Sequence, residues 1–249
     1  MSRGELRIVV AAHKPYPVPG GAEYVPVQVG AAGKPPIPGF RRDDEGDGGI
    51  SAKNPFYCEL TGLWWAWKNL DCGYLGLVHY RRLFRCAPSR ILDLLHEADV
   101  VLPSKRRYLI ETNYSHYAHA HHARDLDLAR DAVSRLQPGF LEAFDAVMRS
   151  RSGHRFNMFA MRKTLADEWC EWIFGILAEI EKKADLSAYS QYDRRVFGFL
   201  AERLLDVWIK GRALSVREVP VRNLECQHWP SKIAGFLFRK FSAGRRIDS

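Results

Sequence analysis

The most continuous apolar segment lies near the start of the chain, where residues 6–12 read LRIVVAA. An uninterrupted run of this kind, rich in β-branched residues, is typical of a strand buried on both faces of a sheet. Residues 74–80 (YLGLVHY) and 98–102 (ADVVL) have the same character, and residues 157–161 (NMFAM) give a fourth candidate. The pattern predicts an alternating α/β sheet with its first strand in the centre.

Apolar positions at helical spacing fall between these runs. Asn54 and Pro55 are typical of a helix start, because asparagine can cap free amides and proline at the first helical position loses no N–H that is needed. Thr164 and Asp167 resemble a capping pair. Helices are predicted after residue 54, over 91–95, from about 164 to 180, and over about 191–209.

Two further segments complete the outline. Residues 16–50 carry many prolines and glycines and predict a long functional loop. Residues 113–150 are polar and helical, with Pro138 marking a break between two helices, and they predict an insertion over the sheet. No internal repeat is present, so we expect one domain over residues 1–249.

Composition adds a basic character. The net charge is +8 and the pI is near 9.3, which favours anionic partners such as nucleotide diphosphates, acidic lipids or nucleic acid. No window approaches the roughly 18 apolar residues of a spanning helix, and the first residues are too polar for a secretory signal, so we expect a cytoplasmic protein. The five cysteines form no Cys-x-x-Cys pair and predict reduced thiols in the core.

Basic side chains follow each predicted strand, at the sheet edge where α/β proteins bind ligands. Because guanidinium groups bind phosphate oxygens in pairs, we predict that these residues converge on a diphosphate. The alternative is a solvated basic edge. The residues are His13 and Lys14 after the first strand, His79, Tyr80, Arg81 and Arg82 after the second, and Lys105, Arg106 and Arg107 after the third.

Several longer stretches resemble a bacterial family, domain of unknown function 4422, found among capsular and exopolysaccharide synthesis proteins. They include HKPY, ISAKNPFYCELTGLWWAWKNLD, YLGLVHYRRLF, SGHRFNMFAM and RRVFGFLAERLLDVWI, and the similarity runs from about residue 8 to 223. The resemblance implies a single GT-A-like (Rossmann-like) α/β domain whose mixed, mostly parallel sheet is flanked by helices. It also implies a glycosyltransferase that uses a nucleotide sugar, with UDP the expected nucleotide, and a polyprenyl-linked or oligosaccharide acceptor.

The resemblance departs from many GT-A enzymes at the metal site. Those enzymes carry an Asp-x-Asp pair that holds a divalent metal where this chain has the tetrapeptide at residues 79–82. We therefore expect Arg81 and Arg82 to neutralise the diphosphate in place of Mn or Mg. The only literal Asp-x-Asp, Asp125 to Asp127, lies at a predicted helix start, where acidic residues favour the helix dipole. A metal role for it stays the alternative.

Further residues are assigned to the site. We place Lys53 and Asn54, at the start of the specific NPFYCEL segment, in the donor site. Four histidines at residues 116–122 could bind a metal, but no carboxylate spacing completes a zinc motif, so a sugar-binding or helix-packing surface is the alternative. The predicted sugar or acceptor contacts are His116, His119, His154, Asn157 and Arg194.

A transferase of this kind needs a carboxylate that removes a proton from the acceptor hydroxyl. Asp193 precedes two arginines at a predicted helix start, where cations and the helix dipole should lower its pKa. Glu202 lies on the same helix and is the second candidate. The alternatives are an ordinary helix-start aspartate and a surface ion pair, respectively.

The remaining aromatic and basic segments are open to two interpretations each. The tryptophans at residues 64, 65 and 67 could stack on sugars, but a helical stripe is more often core. The tail at about 230–249 contains KIAGFLFRKF, which could lie on an anionic membrane or pack on the domain. Rival functions are a nucleic-acid-binding protein, for which no motif is present, and a non-catalytic sugar-binding or scaffold protein.

Overall fold

The computed structural model describes residues 4–46 and 48–224 of the chain. Within them, strands and helices alternate through most of the sequence, as the apolar runs predict. The strands are β1 (Leu6–Ala12), β2 (Tyr24–Gln28), β3 (Arg41–Arg42), β4 (Tyr74–His79), β5 (Arg82–Phe84), β6 (Val100–Pro103), β7 (Arg106–Arg107), β8 (Ser152–Gly153), β9 (Phe159–Arg162), β10 (Val216–Val219) and β11 (Val221–Asn223).

The main sheet has the strand order β10-β6-β9-β4-β1-β2-β3. β1 runs parallel to β2 and β4, and β6 runs parallel to β10. β9 lies antiparallel between β4 and β6, so those two strands point the same way although they are not neighbours. The short strands β5 and β11 extend the sheet from the end of β4. The expected mixed, mostly parallel sheet is confirmed.

The central strand β1 is buried on both faces, which explains its unbroken apolar sequence. Val9 and Ala11 belong to the larger core cluster on one face, whereas Ile8 and Val10 belong to the smaller cluster on the other. Side chains alternate between the faces of a strand, so a strand covered on both sides needs apolar residues at consecutive positions.

Helices cover both faces of the sheet. On one side, α3 packs its Ile91, Leu94 and Leu95 into the smaller core cluster, and the other long helices contribute to the larger cluster. The helices are α1 (Asn54–Tyr57), α2 (Leu60–Asn69), α3 (Pro88–Glu97), α4 (Asn113–Ala120), α5 (Ala123–Leu136), α6 (Leu141–Arg149), α7 (Lys163–Lys183) and α8 (Val196–Gly211), with 3-10 turns at Ser51–Lys53, Pro138–Phe140 and Asp193–Arg195.

Three local expectations are wrong. The segment 16–50 is not one long loop, because β2 and β3 pair within it at the sheet edge. Asn54 does not cap α1; its Nδ2 donates to the Cys58 carbonyl oxygen at 2.7 Å, at the far end of the helix. Thr164 and Asp167 do not cap α7, which begins one residue earlier, and Asp167 instead pairs with Lys163 Nζ.

The helical middle of the chain contains the helix break predicted at Pro138. Pro138 lies in the 3-10 turn between α5 and α6, since its ring and missing N–H favour a helix break. α4 packs on α5 and α6, α5 on α7, and α6 on α8, so these helices join the layer on the larger core. The tryptophans of α2 also pack there, as the core interpretation predicts.

The described residues contain no helix that is both long and apolar enough to cross a bilayer. Cys58, Cys72, Cys86 and Cys170 carry free thiols. The amphipathic tail predicted at about 230–249 and Cys226 lie outside the described residues.

Candidate functional site

A cavity of about 860 Å³ lies at the carboxyl edge of β1 and β4. Strand ends, the segment between α1 and α2, and the turn before α8 all contribute to its wall. Its lining residues are His13, Val29, Asn54, Pro55, Phe56, Cys58, Glu59, His79, Arg81, Gln191, Tyr192, Arg194 and Arg195. We call it the strand-end cavity.

Positive charge dominates the polar wall of the strand-end cavity, which combines three guanidinium groups with one carboxylate. Arg81 lies over the ring of Tyr80, with its guanidinium carbon 5.2 Å from the ring centroid. The buried Tyr80 ring also contacts the imidazole of His13 edge-on at 5.2 Å and lies beneath Lys14 Nζ at 5.3 Å. Tyr80 therefore supports the basic groups from below and does not itself line the cavity.

The neighbouring cations help to lower the pKa of both histidines that line the cavity. Burial, with Arg81 and Arg82 nearby, lowers the pKa of His79 to about 3. Burial, then Arg81 and Lys14, lowers the pKa of His13. Both imidazoles are therefore neutral at pH 7, when each can donate one hydrogen bond and accept another. An anion in the cavity would offset the cations that lower these pKa values.

Glu59 provides the only carboxylate among the described residues that line the strand-end cavity. Its Oε1 accepts a hydrogen bond from Asn157 Nδ2 at 2.8 Å, and the same amide nitrogen donates to the Gly198 carbonyl oxygen at 3.0 Å. Burial raises the pKa of Glu59, and the bond from Asn157 opposes that rise. A carboxyl group with a raised pKa in a cleft is suited to proton transfer near neutral pH.

Cys58 and Arg195 fix each other at the wall of the cavity. Arg195 Nε donates to Cys58 Sγ at 3.1 Å. Cys58 ends α1 at a φ of 53°, an uncommon value for a residue with a side chain. Burial and the neighbouring Glu59 raise the pKa of the Cys58 thiol to about 12. The thiol therefore stays protonated and is a poor nucleophile, so its contribution is to hold the guanidinium in place.

A buried aspartate shapes the loop that carries Val29. Asp43 accepts hydrogen bonds from the backbone N–H groups of Gly30 at 2.7 Å and Ala31 at 3.0 Å. Gly30 has a φ of +64°, and a Cβ there would lie 2.6 Å from Asn54 Oδ1. Only glycine allows this close approach, which brings the loop after β2 against the start of α1.

The structure brings together five of the residues predicted for the donor and sugar sites. His13, Asn54, His79, Arg81 and Arg194 line the strand-end cavity.

Five predicted donor residues do not line the strand-end cavity, and Lys14 and Tyr80, which lie next to His13, are two of them. Lys53 Nζ pairs with Glu181 Oε2 at 2.7 Å on α7. The Arg82 guanidinium lies 4.2 Å from the centroid of Phe156. Lys105 lines a second cavity, of about 670 Å³. β6, which precedes Lys105, points the same way as β4 but is separated from it by β9, so the expected convergence of all three basic sets does not occur.

Neither predicted catalytic carboxylate lines the strand-end cavity. Asp193 accepts a hydrogen bond from Ser190 Oγ at 2.6 Å and lies 3.5 Å from His121 Nδ1. The Ser190 bond is the main reason that the pKa of Asp193 is lowered, and His121 adds to it. Glu202 lies 3.3 Å from Arg203 Nη1 and 3.8 Å from Arg155 Nη1, in the ion-pair arrangement that was its alternative interpretation.

The predicted sugar-binding histidines are also outside the strand-end cavity. His116 packs on Tyr108 with ring centroids 4.4 Å apart, and burial lowers its pKa to about 4. His119 Nδ1 lies 2.6 Å from Glu111 Oε1 at the surface. His154 is buried and bonds through Nδ1 to Asp206.

Asn157 does not line the strand-end cavity, but it donates a hydrogen bond to Glu59, which does. It adopts a φ of 52°, which asparagine tolerates better than most residues.

The residues of the strand-end cavity do not fit a divalent metal, because three guanidinium groups would repel it and one carboxylate is a small hard-ligand set. Among residues 4–46 and 48–224, no group of three His, Cys, Asp or Glu side chains is arranged to hold a metal ion. Asp125 of the literal Asp-x-Asp is buried and accepts hydrogen bonds from Tyr189 at 2.6 Å and Tyr117 at 3.0 Å. It therefore ties α5 to α4 and to the segment between α7 and α8.

Sequence reasoning missed Glu59, Cys58 and Arg195. Glu59 and Cys58 lie inside the NPFYCEL segment that carries the family resemblance, only a few residues beyond Asn54. Arg195 directly follows Arg194 and lies at the end of the turn before α8. The sequence indicated these three residues only through their closeness to Asn54 and Arg194, which were already assigned to the site. Which of them points into the cavity depends on the local turn geometry.

Comparison with known proteins agrees with this architecture. A solved structure titled as the apo form of the bifunctional glycosyltransferase WbbM matches with a TM-score of 0.82 and 30% sequence identity. The match covers 89% of this chain and 46% of that one, so this chain spans about half the length of that protein. It confirms the GT-A-like α/β fold expected from the sequence.

No curated protein matches the chain. The model of one family, domain of unknown function DUF4422, matches residues 7–213. The chain therefore belongs to the DUF4422 family.

Proposed function

We propose that this chain is a glycosyltransferase that binds the diphosphate of a nucleotide sugar in the strand-end cavity. The supporting observation is the convergence of Arg81, Arg194 and Arg195 with two neutral imidazoles and one carboxylate at the carboxyl edge of the sheet. The family membership and the likeness to a glycosyltransferase structure support the same reaction class.

The cations have a defined chemical task in this proposal. Breaking the bond between the anomeric carbon and the diphosphate leaves an electron pair, and hence negative charge, on the leaving oxygen. Guanidinium groups bind phosphate oxygens through paired N–H donors and stabilise that charge without a metal. Many GT-A enzymes hold a divalent metal on an Asp-x-Asp pair at the position that residues 79–82 occupy in this chain. Because this chain carries Arg81 there, we propose that catalysis is independent of Mn and Mg.

Glu59 is the proposed catalytic base. The acceptor hydroxyl oxygen bonds to the anomeric carbon, its proton moves to a carboxylate oxygen of Glu59, and the nucleoside diphosphate departs. Glu59 lines the cavity and has a raised pKa, whereas Asp193 and Glu202 are held in other contacts. We therefore favour Glu59 over the two carboxylates predicted from sequence.

The biological setting proposed here follows from the family resemblance. The donor is a UDP-sugar of the hexosyl type, and the acceptor is a polyprenyl-linked or other oligosaccharide of capsular, exopolysaccharide or O-antigen synthesis. The reaction takes place in the cytoplasm, at the inner face of the plasma membrane.

A binding screen followed by a transfer assay tests the function. Calorimetry with UDP and other nucleoside diphosphates, with manganese and with chelator, should show micromolar to millimolar binding that persists at raised salt and does not need metal. Nucleic-acid binding would instead weaken steeply with salt, because counterions are released. Binding without sugar transfer or donor hydrolysis for any nucleotide sugar would support the non-catalytic sugar-binding alternative. Absence of nucleotide binding would overturn the proposed site.

A further inference from the structure

A second basic surface lies at the same edge of the sheet, beyond β9. The two-stranded ribbon formed by β7 and β8 pairs Arg107 with Ser152, and Tyr108 N donates to the Arg151 carbonyl oxygen at 2.8 Å. This pairing holds Arg107 and Arg151 at the wall of the second cavity, together with Lys105. We call this segment, residues 104–110 with Arg151, the basic ribbon.

The basic ribbon carries an excess of positive charge. Lys105 Nζ lies 3.8 Å from Glu218, the only carboxylate among the described residues that line the second cavity. Within the described part of the chain, Arg107 and Arg151 have no ion-pair partner. Exposed cations without carboxylate partners favour an anionic ligand.

A buried tyrosine packs against two arginines at the wall of the second cavity. Tyr108 lines the second cavity and is 8% exposed, yet its hydroxyl has no hydrogen-bond partner among the described residues. The guanidinium groups of Arg106 and Arg155 lie 5.4 and 5.2 Å from its ring centroid. Because the hydroxyl itself is buried, the groups that the second cavity offers to an anion are the exposed cations.

Apolar side chains protrude directly beside these cations. Leu109 is 92% exposed and Ile110 is 79% exposed, the two highest values among the large hydrophobic residues of the described chain. Exposed apolar side chains next to Lys and Arg are the composition of a surface that contacts an anionic bilayer, since acyl chains receive the former and headgroups pair with the latter.

We propose that the basic ribbon docks the protein on a bilayer containing anionic phospholipid. A lipid phosphate occupies the second cavity near Arg107 and Arg151, while Leu109 and Ile110 insert among the acyl chains. Ser104 and Lys105 follow β6, which points the same way as β4, so the strand-end cavity opens at the sheet edge that carries the ribbon. Docking would hold that cavity near lipid-borne molecules.

The test is co-sedimentation of the full chain with phosphatidylcholine vesicles, with and without phosphatidylglycerol. Two double variants remove the two components separately: Leu109→Ser with Ile110→Ser, and Arg107→Ala with Arg151→Ala. Each contact cation contributes about 1 kcal/mol at an anionic surface, so the arginine pair should weaken partitioning about 30-fold. The apolar pair should weaken it at least about tenfold.

Matched controls are Leu136→Ser, at an exposed leucine on α5, and Arg90→Ala, at an exposed arginine on α3. Both should bind vesicles like the wild type, and near-ultraviolet circular dichroism should show that every variant is folded. The segment 225–249 is present in all variants. If both double variants bind like the wild type, the ribbon is not the docking surface and the proposal is overturned.

A separate arm uses inorganic phosphate without lipid. If phosphate raises the melting temperature of the wild type but anionic vesicles do not bind, the second cavity takes a free anion and the membrane proposal is overturned. Nucleotide binding is measured independently in each variant. Loss of vesicle binding with unchanged nucleotide affinity supports the docking proposal, whatever the outcome for the proposed transferase activity.

Discussion

Asn157 donates a hydrogen bond from Nδ2 to Glu59 Oε1 at 2.8 Å, and this contact links the entry to β9 with the start of α2. The same amide nitrogen donates to the Gly198 carbonyl oxygen on α8 at 3.0 Å. One side chain thus ties the candidate catalytic carboxylate to two separate elements. Because a hydrogen bond to the charged form favours it, Asn157 also counteracts the rise in the pKa of Glu59 that burial causes.

Replacing Asn157 with alanine should therefore shift the acid limb of the pH–rate profile to higher pH. The variant loses a bond that lowers the pKa of Glu59, so the base becomes protonated, and activity falls, at a higher pH than in the wild type. Stability should fall by about 1–3 kcal/mol, from the lost hydrogen bonds and the positive φ. A loss of stability with an unmoved acid limb would show that Asn157 has only a structural role.

Glu59→Gln should strongly slow transfer and retain donor binding. A glutamine oxygen can still accept the bond from Asn157, but the amide cannot take a proton from the acceptor hydroxyl. We expect kcat to fall about 10²- to 10⁴-fold, measured by release of nucleoside diphosphate, with donor affinity from calorimetry little changed. The matched variants Asp193→Asn and Glu202→Gln should keep far more activity. A larger loss in either of them than in Glu59→Gln would reassign the base.

Arg81 and Arg82 should differ in their effects on nucleotide binding. Arg81 lines the cavity, whereas the Arg82 guanidinium packs on Phe156. A hydrogen bond to a charged group contributes about 1.5–3 kcal/mol, so Arg81→Ala should weaken nucleoside diphosphate binding roughly 10- to 100-fold. Arg82→Ala should change affinity by less than about threefold. Equal effects of the two substitutions, measured by calorimetry, would contradict the proposed orientation of the site.

His79 should make the folded protein sensitive to acid. Its pKa is about 3 in the folded protein, against 6.5 for a histidine without these neighbours. Below pH 6.5 the unfolded chain binds a proton at His79 that the folded protein does not bind, so acid favours unfolding. Above pH 6.5 His79 is neutral in both states, and this loss of folding stability is absent. The free energy of unfolding declines by up to about 1.4 kcal/mol per pH unit as the pH falls towards 3.

Urea unfolding at several pH values between about 4 and 6.5 checks this expectation. His79→Gln should flatten the dependence of the free energy of unfolding on pH, whereas the exposed control His96→Gln should not. An unchanged slope in His79→Gln would show that the histidine is not the source of the acid sensitivity.

Two glycines in one segment provide a matched pair. Gly30 and Gly33 have φ values of +64° and +72°, but only at Gly30 would a Cβ meet another residue, lying 2.6 Å from Asn54 Oδ1. Gly33→Ala should lower the free energy of unfolding by about 1–2 kcal/mol, the cost of the left-handed backbone. Gly30→Ala should cost roughly 1–3 kcal/mol more because of the overlap. Thermal melts of both variants check this expectation. Equal losses of stability in the two variants would refute the close approach at Gly30.

Local sequence features predicted the strands that are buried on both faces, because such burial leaves a continuous apolar run. The runs that became β1, β4 and β6 are almost entirely apolar, and a strand without polar positions is distinctive. β2 was missed because Pro26 and the surrounding prolines and glycines suggested a loop. Proline is tolerated there, since a strand near the sheet edge has fewer partners for its N–H groups.

The sequence by itself determined the fold class, the family and the presence of basic residues after the strands. Those features can be recognised from residues that are close together in the sequence, because apolar periodicity and short motifs extend over only a few positions. Only the tertiary structure decided which basic residues share a cavity: β9 enters the sheet between β4 and β6 and separates Lys105 from Arg81. It also decided that Glu59 lines the cavity while Asp193 and Glu202 do not, because side-chain direction depends on turn geometry and on contacts between residues far apart in the chain.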